Sequence, residues 1–192
     1  MCYNKKVSGK FLTFHGIDGV GKTTMVDQTV ASLAADGQPV ISWNNYAEKY
    51  GFIFPSKRGD FAASVEKKRL ESRAILGALS SGLTIVKDRW YIDVLASHTF
   101  ASDAQPIDPE GILKPDLSVI LLCDEKVRMN DRILARANPT PEDLIPNSAG
   151  TRAGFFEDYL LSCIAGLSRK HLIIDTTNIT PTDVAEIVRK NI

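Results

Sequence analysis

The stretch FLTFHGIDGVGKTTM, residues 11–25, decides how the rest of the chain is read. A largely apolar run leads into Gly16, and Gly16-Ile17-Asp18-Gly19-Val20-Gly21-Lys22-Thr23 then matches G-x-x-x-x-G-K-[ST] at every position. Each position has a physical task. Glycines let the backbone curl so that successive N–H groups point inward at phosphate oxygens. The helix that follows presents its positive N-terminal end. In such a loop Lys22 reaches the β- and γ-phosphates and the Thr23 hydroxyl ligates Mg²⁺. Thr24 is placed for an α-phosphate contact. Gly16, Asp18, Gly19, Val20 and Gly21 complete the expected ATP cradle, and the strand before and helix after supply its required context.

Outward from this unit the chain alternates apolar strands with helical stretches. The strand-like runs are KFLTFHG (10–16), PVISWN (39–44), LTIVKD (83–88), LSVILLCD (117–124) and HLIIDTT (171–177). Most are continuously apolar, as strands buried on both faces of a parallel sheet are. A βαβα order predicts an α/β doubly wound domain, and 192 residues suit one domain spanning 1–192. Val26, Val30 and Leu33 mark one face of the first helix, which Gly37 and Pro39 stop. Further helices are expected over 62–80, from Asp124 as N-cap to about Ala137, and from Thr180, with Pro181 at N1 and Asp183 completing a box. Two stretches read as loops, 101–116 and 138–154. The second is long, with prolines 139, 141 and 146, and is read as a lid.

Charge and cysteine usage narrow the setting. Lysine plus arginine is 23 and aspartate plus glutamate is 23, so no global field steers the chain onto a nucleic acid polymer or an anionic membrane. Cys2, Cys123 and Cys163 are far apart and fit no metal spacing, which suits reduced thiols in a cytoplasmic protein. No apolar run reaches the length of a membrane span, and MCYNKKVSGK carries no signal-like apolar region. Residues 1–8 are expected to be poorly ordered.

A phosphate cradle serves either an enzyme that passes the γ-phosphoryl to an acceptor or a switch that gives it to water. A guanine-nucleotide switch would show N-K-x-D, and D-x-x-G after the second strand; neither is there. The third strand instead ends Lys87-Asp88-Arg89, at the edge where open α/β sheets bind ligands. Asp88 can hold a Mg²⁺-bound water or take a proton from an acceptor hydroxyl, and Arg89 can clamp an anionic acceptor through its planar fork.

Four patches resemble the thymidylate kinase family of P-loop nucleoside monophosphate kinases. They are GIDGVGKTT, RLESRAILGAL with GLTIVKDRWYID, KPDLSVILLCDEKVRMNDRILAR, and HLIIDTTNITPTDVAEIV, in the family's order. The resemblance implies a P-loop NTPase fold, three layers α/β/α, with a five-stranded parallel sheet of order 2-3-1-4-5 and a lid. It implies ATP and Mg²⁺ as cofactors, a homodimer, and transfer to a nucleoside monophosphate such as dTMP. Carried over by position, Asp18 places the metal or the acceptor sugar, and Thr23 and Asp88 serve the metal. Arg73 and Arg89 bind the acceptor's phosphate or base, and Arg69 on the same helix as Arg73, together with Asp93, is read as a further acceptor-binding residue. Arg132 lies near the ATP base, and Arg136 or Arg152 delivers charge from the lid, since Gly19 stands where some members have an arginine.

The acceptor half departs from that pattern. Arg69 replaces a phenylalanine that stacks on thymine; Asp93, Val94 and Ser97 replace a serine, a polar residue and a tyrosine. SWNNYAEKYG lacks the family's Arg-Glu-Pro-Gly segment, and His15 replaces an acidic residue. An apolar base pocket does not simply accept an arginine and an aspartate. Trp43, Tyr46 or Trp90 can supply a new stacking face or pack in the core. Three readings therefore stay open: a kinase of dTMP type, a kinase of another phosphorylated or hydroxyl-bearing small molecule, with Asp88 as base and Asp93 behind it, and a nucleotide-binding protein without transfer.

Overall fold

The structure, a computed structural model, describes residues 9–52, 60–101, 109–133 and 152–192. The readings of residues 1–8, of Arg136 and of loop residues 138–151 lie outside them.

Five parallel strands form one sheet: β1 (Phe11–His15), β2 (Val40–Ser42), β3 (Thr84–Asp88), β4 (Leu117–Leu122) and β5 (His171–Asp175), in the order β2-β3-β1-β4-β5. β1 is central. Phe14 aligns with Asp88 on one side, and His15 with Ile120 on the other. All five β1 residues are buried, which explains why its sequence is a run and not an alternation. β5 is different. It reads as a continuous apolar run, yet it is an edge strand, and Ile173 is 51% exposed.

Helices cover both faces: α1 (Lys22–Ala35), α2 (Trp43–Lys49), α3 (Phe61–Ser80), α4 (Tyr91–Ala101), α5 (Arg152–Leu167) and α6 (Pro181–Arg189). α1 packs on α6 and α4 on α5. One apolar core joins Leu12, Phe14, Val86 and Val119 to the helices; a second gathers Phe11, Ile85, Trp43, Trp90 and Ile75 under α2 and α3. Burying one such side chain contributes about 1.5–3 kcal/mol.

Local signals explain the helix ends. The Thr180 hydroxyl accepts from Asp183 N at 3.2 Å, and the Asp183 carboxylate accepts from Thr180 N at 3.0 Å, a complete capping box before Pro181. Asp60 caps α3 by accepting from Ala63 N at 3.0 Å.

Three expectations need correction. Trp43 and Asn44 are not strand but the start of α2, because the Ser42 hydroxyl accepts from Asn45 N and caps a helix there. The helix after β4 is only briefly α, and Val127–Ile133 runs as a π-helix. The loop read through residue 154 is helical from Arg152. Among the described residues no helix is long and apolar enough to cross a membrane.

Candidate active site

The C-terminal edge of the sheet carries the site. β1 ends at His15, and the chain turns at Gly16 with φ of 138°. A Cβ there would stand 2.6 Å from the Leu121 carbonyl oxygen. Gly19 has φ of 89°, and a Cβ on it would meet the Ile133 side chain at 2.8 Å and Arg128 Cγ at 3.0 Å. The loop is thus packed tightly on one side and turned by positive φ at Gly16, Gly19 and Gly21. α1 opens with no side-chain cap and no acidic residue in its first turn. Its orphan N–H groups are left for an anion.

Lys22 is buried and lies back over the loop, donating to the Ile17 carbonyl at 2.9 Å, with the Asp18 carboxylate 3.6 Å away. Burial, and then the Arg89 cation, lower its pKa; Asp18, Asp88 and Asp93 oppose that shift. The Thr23 hydroxyl donates to Asp88 Oδ2 at 2.9 Å, while Asp88 Oδ1 is buried and has no hydrogen-bond partner. Thr24 is exposed in the same first turn, and Val20 is buried beneath the loop.

Arg89 sits directly after β3 with φ of 60°, a conformation that costs a non-glycine residue about 1–2 kcal/mol. Two bonds hold it there. Its N–H donates to the Phe14 carbonyl at 2.9 Å, and its guanidinium pairs with the Asp18 carboxylate. Burial acts to lower its pKa, but Asp18, Asp93 and Asp88 outweigh that and raise it.

Two arginines of the π-helix brace the loop from behind. Arg128, fully buried, donates to the Asp18 carbonyl at 3.0 Å. Arg132, one turn on, donates to the Val20 carbonyl at 3.1 Å and the Thr176 hydroxyl at 2.9 Å. The sequence signals Arg128 by its spacing of four from Arg132.

Beside this cradle lies a cleft of about 350 Å³, with Phe61, Ser64 and Lys68 of α3 facing Arg89, Asp93 and Ser97. Asp93 is 5% exposed. Its Oδ2 accepts from His15 Nδ1 at 2.6 Å and from Trp90 N at 2.8 Å; Oδ1 has no partner. Burial acts to raise its pKa, but His15, Arg89 and the Trp90 N–H prevail and lower it. His15 Nε2 is in turn 2.8 Å from Thr13 Oγ1, which is 2.8 Å from Ser118 Oγ. His15 is therefore part of a buried polar chain.

Under the cleft lies a charged cluster that the sequence did not announce. Lys87 is buried, 3.5 Å from Glu71, with its ammonium 5.0 Å from the centre of the Trp43 ring and 5.7 Å from that of Trp90. Lys68 bonds Glu71 at 3.0 Å and lies over the Trp90 ring at 4.9 Å. Burial and Lys68 push the Lys87 pKa down to about 7 against the pull of Glu71. Burial would raise the Glu71 carboxyl, but Lys87 and Lys68 outweigh it and hold it low.

The remaining expected residues are spread apart. Arg69 donates to the Glu110 carbonyl at 3.1 Å and pairs with Glu66, outside the cleft lining. Arg73 is exposed on α3. Trp43 and Trp90 are core residues, and Tyr46 stacks on Trp43 with ring centres 5.9 Å apart. The structure thus brings together Lys22, Thr23, Asp18, Asp88, Arg89 and Asp93, with Arg132 at the back of the loop.

No protein-family model matches the chain. Over 92 residues it is 30% identical to a protein named thymidylate kinase from Chlorobium luteolum, a match covering 42% of this chain and 43% of that one. The aligned region is less than half of either protein. Sheet order, phosphate cradle and this partial similarity agree on a P-loop kinase-like fold.

Proposed function

We propose that the protein is an ATP-dependent phosphotransferase that moves the γ-phosphoryl group of Mg·ATP to a nucleoside monophosphate, dTMP being the acceptor named by its relative. The observation that carries the reading is the convergence of Lys22, the Thr23–Asp88 pair and Arg89 on one sheet edge, next to an open cleft.

Mg²⁺ fits what is there. Hydroxyl and carboxylate oxygens are the donors it prefers, and the orphaned Asp88 Oδ1 beside the Thr23 pair asks for a partner. The absence of a cluster of three or more ligating side chains among the described residues suits an ion held by one or two protein groups plus phosphates. Thr23 and Asp88 would hold the ion, which would supply neutralisation of the charge that develops on the transferring phosphoryl group.

This chain's own groups do the rest. The loop N–H groups and the open end of α1 bind phosphate oxygens. Lys22 exchanges the Ile17 carbonyl for β- and γ-oxygens. Arg89, tied to Asp18 and lining the cleft, orients an anionic acceptor. The resemblance adds Arg136 and Arg152 as further cations for the transferring group. It also implies a homodimer, and the free Cys123 and Cys163 suit a cytoplasmic setting.

A second reading, another acceptor in the same cleft, is favoured by Lys68 and Asp93, which give it a charged lining. ADP release from Mg·ATP with and without dTMP tests both. Strong stimulation supports dTMP; stimulation only by other compounds supports the second reading. ATP binding with no stimulation by any acceptor supports nucleotide binding without transfer.

A further inference from the structure

We propose that Asp93 is a specificity-determining residue, accepting a hydrogen bond from a sugar or polyol hydroxyl of the acceptor through its unpartnered Oδ1. The proposal rests on the phosphotransferase reading and names a chemical feature of the acceptor.

Three observations carry it. The first is the division of labour within one carboxylate. Both of its bonds, from His15 Nδ1 and Trp90 N, fall on Oδ2, and Oδ1 is buried with none. A buried carboxylate oxygen without a donor is costly, and such an atom beside a cleft is satisfied when a ligand brings the donor. The second is rigidity. His15 is held between Asp93 and Thr13, and Thr13 to Ser118, so Oδ2 is held from the centre of the sheet and the carboxylate is oriented by it. His15 is a positioning residue here. The third is the company in the cleft. Lys68 and Arg89 line it with Asp93, and a cationic amine would be repelled by both. A neutral hydroxyl is not, and it can accept from Ser64 or Ser97 while it donates to Asp93.

The test is a cycle between protein and ligand. Calorimetry would measure binding of the 5′-monophosphates of thymidine and cytidine, and of their 3′-deoxy counterparts, to the full chain, with Mg·ATP binding measured alongside. Wild-type protein should prefer a hydroxylated member to its 3′-deoxy partner by about tenfold or more. Asp93→Asn and Asp93→Ser should abolish that preference while both variants still bind Mg·ATP. A merely structural role would weaken both members of a pair alike. Equal wild-type affinity for both members overturns the proposal, and so does a preference that survives in either folded variant. If no hydroxylated probe binds while Mg·ATP does, the proposal also fails. Loss of Mg·ATP binding by the wild-type chain itself would instead overturn the phosphotransferase reading. Should both variants fail to fold, equal wild-type binding of the pairs still overturns the proposal; a wild-type preference that survives in Asp18→Asn supports it, and one lost there overturns it.

Discussion

The loop between β1 and α1 is shaped by backbone, whereas the cleft between α3 and α4 is shaped by charged side chains. At the loop, tight glycines, carbonyl acceptors and a helix end make the site, and the arginines behind it bond to main-chain oxygens. At the cleft, Asp93 and Lys68 line the wall, and buried partners hold them: His15 bonds Asp93, and Glu71 pairs with both Lys68 and Lys87. A backbone site can bind any phosphate and reads little else. A side-chain site can discriminate, because each buried charge demands a particular partner. The difference teaches where in this molecule function is generic and where it is particular.

The comparison breaks first at Lys22. Lys22→Ala should lower turnover by about 10³-fold, read by ADP release, because no backbone group replaces the ammonium. Unchanged turnover would mean that the loop is not a catalytic cradle. Asp88→Asn should raise the Mg²⁺ concentration needed for half-maximal activity by about 10- to 100-fold. If turnover at saturating metal instead falls by many orders of magnitude, Asp88 is taking a proton from a hydroxyl acceptor.

Smaller effects sharpen the contrast. Arg128→Met should cost about 1–3 kcal/mol in urea unfolding, since it leaves the Asp18 carbonyl without that donor. It should also weaken ATP binding more than acceptor binding. Lys87 gives the cleft a signature in pH. From about pH 7 up to the ordinary lysine range, the unfolded chain holds this proton and the folded chain has released it. Stability therefore rises with pH across that window, and below it the full cost of burying the charge remains. Lys87→Met should flatten that rise when urea midpoints are compared at about pH 7, 8 and 9; an unaltered slope would mean that Lys87 titrates like an exposed lysine.

Strands were readable because parallel strands buried on both faces leave continuous apolar runs, and β1, β3 and β4 fit that rule. β5 has the same kind of run with one side open, since letters do not say which strand lies at an edge. α2 was missed because its start depends on the Ser42 hydroxyl turning onto Asn45 N, a choice that a short polar segment does not advertise. The cradle was legible as a local motif. The cleft was not, because its pairs are distant in sequence: His15 with Asp93, and Glu71 with Lys87. The brace behind the cradle, Arg128 on the Asp18 carbonyl, is distant too. An arginine that will be fully buried is written with the same letter as one in water, and no local pattern separates Arg128 from Arg69 on its charged helix face.

Gly19 has a consequence for how this chain can vary. The space that a side chain would need there is taken by Ile133 and by the stem of Arg128, and its backbone angle disfavours any Cβ. Placing an arginine in the loop by one substitution would collide with both. Removing Arg128 first would undo a bond to the loop before anything replaced it. Position 19 is thus coupled to 128 and 133: a side chain at 19 needs room that both neighbours occupy, so the exchange calls for changes made together.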